Sequence, residues 1–392
     1  MKIAIISPFL PYSTVKHAGG YFIYCLIKYL SQKHKVHLIV RVNDNDGEES
    51  YINEVKEICE AVHIFRFKKP SSQNIFSTFK IIISYFRLQI FANKIIKKEK
   101  FDIIDVEYTE TAILITKIKN TPLLVDMIDV ISKPAFRTYL SSENIFKKII
   151  NYFIWQAKKI IENYVAEKAD CSFTLSKIDK MFLSENNPDV KIVDTGLSAK
   201  PYLFAINSAI SNKDKNMLLF VGAMNRGFNQ EAVEFFIEKV LPILLPKYPD
   251  IKFYVVGANP PEKLKEIARK NKSVVVTDFV EDLTPYYEKA YIFVSPILVG
   301  GGIISKNIDA MAAGVPVITT PFGNEGIEAK NGEEIFETQT PEEFAEIIIK
   351  LREDEKLWRT ISDNSRKYAS NNFTEEIIFK KYEETFLKYA NQ

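Results

Sequence analysis

Cysteine and histidine are scarce in this chain of 392 residues. Its three cysteines, Cys25, Cys59 and Cys171, lie far apart and form no Cys-x-x-Cys pair, and its four histidines all lie within the first 63 residues. This cysteine spacing argues against both a disulfide framework and a zinc site. We therefore expect a protein of a reducing compartment, the cytoplasm.

The chain also lacks an excess of charge and a long apolar run. Its formal net charge is +2, from 52 basic and 50 acidic residues, so composition gives no indication of a nucleic-acid-binding protein. Polar residues interrupt the most apolar window, residues 75–91, which falls short of the roughly 20 apolar residues of a membrane span. The first residues reach Pro8 without the apolar core of a signal peptide. We expect neither a transmembrane segment nor a signal peptide.

Short β-branched runs alternate with amphipathic stretches along the chain. Strands are predicted over residues 2–7, 36–42, 62–65, 103–106, 123–126 and 171–175, and again over 217–221, 252–256, 274–277, 292–295 and 315–319. Helices are predicted between them, including residues 20–31, 75–98 and 144–169. This alternation is typical of doubly wound parallel sheets in α/β proteins. We predict two Rossmann-like domains, residues 1–200 and 201–372, and a last helix, 373–392, that packs back on the first domain.

The segment VGGGIISKNIDAMAAGVPVI, residues 299–318, is the most informative motif. Its three glycines open a predicted helix, and free N–H groups at a helix start favour an anion such as phosphate. Lys306 and Asp309 are three residues apart and share one helix face, which places a cation near a phosphate and a carboxylate near sugar hydroxyls. A sugar-nucleotide site and an ordinary loop with packing glycines are both compatible with these residues.

Two more loops that follow predicted strands are candidates, because ligands bind beyond the carboxyl ends of strands in such sheets. Gly19 and Gly20 open a helix after the first strand, either as an anion site or for packing. Phe279 and Val280 follow the strand ending at Thr277, where they could contact a nucleobase or form a hydrophobic plug.

The loop after Val221 has the Gly, four residues, Gly spacing of a Walker loop between Gly222 and Gly227. Phe228 and Asn229 stand where that motif needs Lys and Ser or Thr, which excludes a nucleoside triphosphatase of this type. Arg226 is left as either a diphosphate ligand or a solvated side chain.

A nicotinamide-binding enzyme is not favoured, although the sheets are of the Rossmann type. The glycine fingerprint should follow the first strand, but Pro8 follows Ser7 there. The nearest match, from Gly300 to Ser305, lacks the third glycine and lies late in the second domain.

Several motifs together resemble a known family. The segment GGGIISKNIDAMAAGVPVITTPFGNEGI, residues 300–327, resembles the C-terminal pattern of exopolysaccharide-type sugar transferases. Residues 220–236 and 256–260 resemble the loops that open their second domain, and DIIDVEYTE and VDMIDVISK resemble their acceptor-side segments. Over almost its full length the chain resembles the retaining glycosyltransferases of the GT-B fold, the glycogen-synthase-like group.

The resemblance implies a GT-B enzyme with an interdomain cleft that transfers a sugar from a nucleotide donor, with retention at the anomeric carbon and without a metal or other cofactor. It assigns catalysis to Arg226, Lys306 and Asp309. Lys306 and Arg226 would neutralise the leaving diphosphate, and Asp309 would accept hydrogen bonds from the ribose. The residues expected to bind the donor are Gly19, Gly20, Gly222, Asn229, Phe279, Val280, Gly301, Gly302 and Ile303.

The acceptor side is less defined. Glu107 and Asp129 either orient the acceptor or cap strand ends. The stretches 75–98 and 145–159 mix aromatic residues with lysine and arginine. Such stretches either lie on an anionic membrane or face the core with snorkelling lysines. We expect a polysaccharide, glycan or lipid-linked acceptor and peripheral association with the cytoplasmic membrane face.

Two alternatives to a transferase stay open. The chain departs from the family pattern at Gly301, Ile304 and Asp309, and the first two departures favour a non-catalytic partner that keeps the fold. A sugar-nucleotide epimerase is the other, although the second domain has no histidine to serve it. A screen of nucleoside diphosphates for thermal stabilisation separates binding from its absence.

Overall fold

The protein divides into two compact units in the computed structural model, which describes residues 1–15, 17–44, 47–68, 70, 75–298 and 302–392. The first unit comprises residues 1–196 together with 378–392, and the second comprises residues 197–377. Each unit contains one parallel sheet flanked by helices.

The sheet of the first unit has seven parallel strands in the order β3-β2-β1-β4-β5-β6-β7. The strands are β1 Lys2–Ser7, β2 Lys35–Asn43, β3 Ala61–Phe67, β4 Ile103–Glu107, β5 Leu123–Asp126, β6 Cys171–Thr174 and β7 Ile192–Asp194. The helices are α1 Ala18–Leu30, α2 Ile52–Ile58, α3 Ile75–Lys98, α4 Thr109–Ala112, α5 Ser132–Leu140, α6 Ile145–Lys168 and α7 Lys177–Asn186.

The sheet of the second unit has six parallel strands in the order β10-β9-β8-β11-β12-β13. The strands are β8 Asp214–Val221, β9 Lys252–Val256, β10 Val274–Val276, β11 Ala290–Ser295, β12 Val317–Thr319 and β13 Phe336–Glu337. The helices are α8 Gly227–Phe235, α9 Leu241–Leu244, α10 Glu262–Lys270, α11 Thr284–Lys289, α12 Ser305–Ala312, α13 Pro321–Asn324, α14 Pro341–Glu353 and α15 Glu355–Asn372. A final helix, α16 Glu375–Ala390, ends in the first unit.

The inner strands of both sheets are buried on both faces, which explains why they read as apolar runs. In the second unit Leu218, Phe220 and Phe253 pack in one cluster with the helix residues Phe236 and Trp358. The predicted doubly wound α/β fold is confirmed. Strand order reverses between β1 and β4 and again between β8 and β11, and ligands bind at such points in open α/β sheets.

The helix after the glycine-rich loop begins later than the motif predicts. Helix α12 starts at Ser305, and Gly302 precedes it with a φ of 78°, in the left-handed region. Gly302 and Ile303 therefore lie in the turn before the helix and not in its first turn. Within the part of the chain that is described, no helix is both long enough and apolar enough to span a bilayer.

Candidate functional site

Two loops of the second unit meet at its topological switch point. One follows β8 and leads through Arg226, which precedes the first residue of α8. The other follows β11 and leads into α12, which carries Lys306. Because β8 and β11 are neighbouring parallel strands, their carboxyl ends bring these two cations to the same edge of the sheet.

Lys306 is held in a half-buried position by three neighbours. Its Nζ donates a hydrogen bond to Asn229 Oδ1 and lies 4.4 Å from the ring centre of Phe220 and 5.4 Å from that of Phe228. Burial, and to a smaller extent the nearby guanidinium of Arg226, lowers the pKa of Lys306 to about 7. An anion at this point would restore the ammonium form, so the pair is suited to bind diphosphate.

Two glycines make room for this arrangement. A Cβ on Gly222 would lie 2.7 Å from Asn229 Nδ2 and 3.0 Å from Lys306 Nζ. At Gly257, at the end of the neighbouring strand β9, a Cβ would lie 2.0 Å from the carbonyl oxygen of Gly222, and φ is +153°. The strand ends therefore approach closely because neither residue has a side chain. Asn229 is also fixed, since its Nδ2 donates to the Ala223 carbonyl at 2.8 Å.

Asp309 lies one turn after Lys306 but is engaged elsewhere. Its Oδ1 accepts a hydrogen bond from the Lys200 backbone N–H at 3.3 Å, and its Oδ2 lies 3.9 Å from Lys200 Nζ. Burial raises the pKa of Asp309, and Lys200 opposes that rise. The carboxylate can still accept a further hydrogen bond, because each oxygen has two lone pairs.

Buried hydrogen bonds hold the start of α12 in place. Asn307 Nδ2 donates to Thr319 Oγ1 at 3.2 Å and to the Gly323 carbonyl at 2.9 Å, and Thr319 Oγ1 donates to the Ser295 carbonyl at 2.7 Å. These bonds fix the helix against β11 and β12. Gly301, predicted to contribute a backbone amide, lies outside the described residues.

Phe279 and Val280 lie in the loop after β10. In the sheet, β9 lies between β10 and β8. The Phe279 side chain is 56% exposed. Asp278 Oδ1 accepts the Phe279 backbone N–H at 2.8 Å and the Asn259 N–H at 3.4 Å, which ties this loop to the one after β9. A nucleobase contact by Phe279 stays a prediction.

Gly19 and Gly20, predicted to bind the donor, are packed closely inside the first unit. A Cβ on Gly19 would lie 2.0 Å from the Tyr108 hydroxyl, and one on Gly20 would lie 2.7 Å from His17 Cε1. His17 Nδ1 accepts the Gly20 N–H and so caps α1. Within the first unit these glycines serve packing, the alternative that the sequence left open, and a donor contact stays a prediction.

Of the two acceptor-side candidates, Asp129 is exposed after β5, whereas Glu107 is fully buried at the end of β4. Glu107 is the register partner of Asp126 on β5, and burial together with Asp126 and Asp105 raises its pKa well above the usual range. A buried, protonated carboxyl is not accessible to an acceptor. The structure therefore favours a structural role for Glu107 over the predicted acceptor contact, and Asp129 is left as the candidate.

Sequence reasoning missed two residues around this site, Lys200 and Phe220, and one beside Gly19 in the first unit, Tyr108. Lys200 carries no motif, and its contact with Asp309 spans more than a hundred positions. Phe220 has the pattern of an ordinary strand residue, and only the structure places its ring beside Lys306. Tyr108 has a φ of 72°, an uncommon value for a residue with a side chain, which no sequence pattern indicates.

The sequence and the fold of this chain resemble those of known proteins. Residues 215–354, which contain β8 to α14, match the family model described as Glycosyl transferases group 1. The second unit contains a group 1 glycosyltransferase domain, and the chain is a glycosyltransferase of the GT-B fold. The predicted family and the predicted enzyme class are confirmed, whereas retention at the anomeric carbon stays a prediction.

Curated relatives extend beyond the matched domain. This glycosyltransferase is 25% identical to an uncharacterised 44.6 kDa protein in the cps region of Klebsiella pneumoniae, over 96% of this chain and 98% of the relative. It is 32% identical to the capsular polysaccharide biosynthesis glycosyltransferase CapM of Staphylococcus aureus, over 43% of this chain and 46% of CapM.

Solved structures share the fold at low sequence identity. Sucrose-phosphate synthase of Thermosynechococcus elongatus superposes with a TM-score of 0.76 and 17% identity, over 99% of this chain and 98% of that one. The HepE protein of Anabaena, crystallised with UDP, gives a TM-score of 0.67 and 15% identity, over 99% of this chain and 100% of HepE. At these identities the likeness concerns the fold alone.

Proposed function

We propose that this glycosyltransferase transfers a sugar from a nucleoside-diphosphate donor, with retention of the anomeric configuration, to a growing polysaccharide or lipid-linked glycan. The observation that carries the proposal is the meeting of Arg226 and Lys306 at the switch point of the second sheet. Two cations beside a half-buried helix start are suited to a pyrophosphate. The presence of UDP in the HepE crystal supports a nucleotide as ligand, and the name of CapM supports a polysaccharide product.

In the proposed reaction, the bond from the anomeric carbon to the β-phosphate oxygen breaks, and the acceptor hydroxyl oxygen forms the new bond on the same face. The acceptor proton passes to the leaving diphosphate. Lys306 and Arg226 stabilise the charge that develops on that diphosphate, a preorganised electrostatic contribution that is often the largest in catalysis. We propose that no metal takes part in this step.

Asp309 and the Phe279 loop have positioning roles in the proposal. Asp309 accepts hydrogen bonds from the ribose, and its contact with Lys200 fixes the carboxylate for that purpose. Phe279, largely exposed after β10, stacks on the nucleobase. Gly302 and Ile303 direct backbone amides at the diphosphate.

A panel of UDP-, GDP-, ADP- and dTDP-sugars, followed by NMR, tests the proposal. We expect one donor to release its nucleoside diphosphate, and the transferred or hydrolysed sugar to keep the donor's anomeric configuration at first appearance. Inversion would contradict the retaining mechanism. Conversion of one nucleotide sugar into another without release would favour the epimerase, and tight binding of every nucleotide without turnover would favour the non-catalytic partner.

We also propose peripheral association with an anionic membrane surface. Phe146 is 74% exposed and Phe153 is 64% exposed on α6, whose sequence between and after them carries lysines. The exposed apolar residues on α3 and α6 include Phe76, Phe79, Ile82, Ile90, Ile145, Ile149, Ile150 and Ile160. Aromatic side chains that insert and lysines that face anionic head groups together favour such binding.

Flotation with vesicles of phosphatidylglycerol and of phosphatidylcholine tests the membrane proposal. We expect the protein to float with the anionic vesicles at low salt and the double variant Phe146→Ser/Phe153→Ser to stay in the soluble fraction. Leu387→Ser, a change at an exposed apolar residue of α16, is the matched control. A wild-type protein that does not float would contradict the proposal.

A further inference from the structure

Two histidines and one glutamate of the first unit converge at a place remote from the motifs above. His37 is the third residue of β2 and His63 the third of β3, and the register pairs His63 with Ile39, two positions after His37. Both imidazoles therefore stand on the same face of the sheet. Glu99 directly follows α3, a helix that contacts both strands. The cluster lies at the amino-terminal edge of the sheet.

The ligand atoms of this cluster are close together. His37 Nδ1 lies 3.3 Å from Glu99 Oε2, and His63 Nε2 lies 3.6 Å from Glu99 Oε1. One ligand atom from each residue falls within 4.8 Å of the other two. In a tetrahedral zinc site with bonds of about 2.0–2.1 Å, neighbouring ligand atoms are roughly 3.3–3.4 Å apart. The two nitrogen-to-oxygen distances are thus close to those of a metal-bound set.

Both nitrogens that face Glu99 are buried polar atoms without a hydrogen-bond partner among the described residues. Native proteins rarely leave such atoms unsatisfied, and a bound ion is one way to satisfy them. The His63 side chain is 24% exposed, so the cluster lies close to the protein surface.

A charged neighbour lies beside this cluster. The Nζ of Lys2 donates a hydrogen bond to Glu99 Oε2 at 2.8 Å. Lys2 is the competitor, since a bound ion would share Glu99 with it.

We propose that His37, His63 and Glu99 bind a divalent transition-metal ion of the zinc class. Two imidazoles and a carboxylate match the ligand preference of Zn²⁺, with water completing the coordination. The ion would connect β2, β3 and the end of α3, so its effect is on the stability of the first unit. The residues proposed to bind the diphosphate lie in the second unit, and we expect the ion to take no direct part in sugar transfer.

Titration of the full chain with ZnCl₂, after removal of metals with a chelator, tests this proposal. Isothermal titration calorimetry should give one Zn²⁺ per chain, and thermal melting should show a rise in Tm on addition of Zn²⁺. His63→Gln and Glu99→Gln should each abolish both effects. His34→Gln is the matched control, because His34 Nε2 pairs with Glu383 at 3.1 Å outside the cluster and should keep full binding.

The Lys2→Gln variant tests where the ion binds. Removal of the competing ammonium group should tighten Zn²⁺ binding several-fold, because Glu99 then has no ion pair to exchange. Circular dichroism establishes that each variant is folded before its titration is interpreted. Absence of Zn²⁺ binding by the wild-type chain, or an unchanged stoichiometry in folded His63→Gln, would overturn the proposal.

Discussion

Lys306 combines two properties that rarely occur together in a lysine: a fixed position and a pKa within the physiological range. The amide of Asn229 and the rings of Phe220 and Phe228 hold the ammonium group, and burial brings its pKa to about 7. Without an anion the charge is partly lost at neutral pH. A bound diphosphate would favour protonation, so nucleotide binding and proton uptake are linked.

This linkage predicts a pH dependence of nucleotide binding. The protonated form of Lys306 binds the diphosphate and predominates below pH 7, so affinity should fall as pH rises from 7 to 9.5, by up to about tenfold per pH unit. Lys306→Arg keeps its charge throughout this range and should show a much flatter profile. Calorimetric titrations at five pH values measure both. A wild-type profile that is flat over this range would contradict a titrating lysine in the site.

Substitution of Gly222 distinguishes an effect on nucleotide binding from an effect on the stability of the fold. Gly222→Ala places a methyl group against the side-chain ends of Asn229 and Lys306, whereas Gly257→Ala meets the backbone oxygen of Gly222 in a strained conformation. We expect Gly222→Ala to weaken nucleotide binding at least tenfold with a loss of stability below about 1 kcal/mol. Gly257→Ala should cost roughly 1–3 kcal/mol or more.

Urea denaturation and nucleotide titration of both variants measure this difference. If Gly222→Ala bound nucleotide as tightly as the wild type, the contact between this glycine and the lysine would have no role in the site.

At the scale of elements, the long helices and most strands could be predicted, whereas two of the shortest strands could not. Residues 75–98 and 252–256 are predicted with the same bounds that α3 and β9 have in the structure. The strands β7 and β13 have three and two residues, too few to show alternation, and neither was predicted. The start of α12 was misplaced because the left-handed conformation of Gly302 delays the helix.

The strands β4 and β5 carry three acidic side chains whose burial could not be predicted from the sequence. Asp105 and Glu107 lie on β4, Asp126 lies on β5, and all three are fully buried. The hydroxyl of Tyr382 on α16 donates a hydrogen bond to Asp126 Oδ2. Burial raises the pKa of Asp126 to about 7. The exposed Asp129 raises it as well, while the Tyr382 bond lowers it.

The raised pKa of Asp126 predicts how stability varies with pH. Unfolding exposes a carboxyl of ordinary pKa near 4, so the folded state retains a proton that the unfolded state loses between about pH 4 and 7. The contribution to stability is therefore greatest below pH 4 and is lost as pH rises through 7. Asp126→Asn mimics the protonated form and should stabilise the protein on the order of 1–3 kcal/mol at pH 8 but little at pH 4.5.

Denaturation of the wild type and of Asp126→Asn at the two pH values measures the effect. Asp44→Asn is the matched control, since Asp44 pairs with Arg66 at the surface and should change stability only slightly. A loss of stability in Asp126→Asn at pH 8 would contradict a buried Asp126 with a raised pKa.

At the scale of the whole molecule, the alternation of strands and helices was enough to predict two doubly wound sheets. The candidate site was only partly predictable. Arg226 and Lys306 follow strands that the pattern identified, so their meeting at the switch point could be expected from topology. The contact of Lys200 with Asp309 and the burial of Glu107 depend on non-local packing, which no local pattern encodes.

The central claim is that the second unit binds a nucleoside diphosphate through Lys306, and calorimetric titration of the full chain tests it most directly. The ligand is whichever of UDP, GDP, ADP and dTDP raises the Tm of the wild type most. Lys330→Ala, an exposed lysine of the same unit that pairs with Glu333, is the control. We expect the wild type and Lys330→Ala to bind equally and Lys306→Ala to bind at least tenfold more weakly, a loss of about 1.4 kcal/mol or more. Equal affinity of Lys306→Ala and the wild type, or binding of none of the four nucleotides by the wild type, would contradict the account.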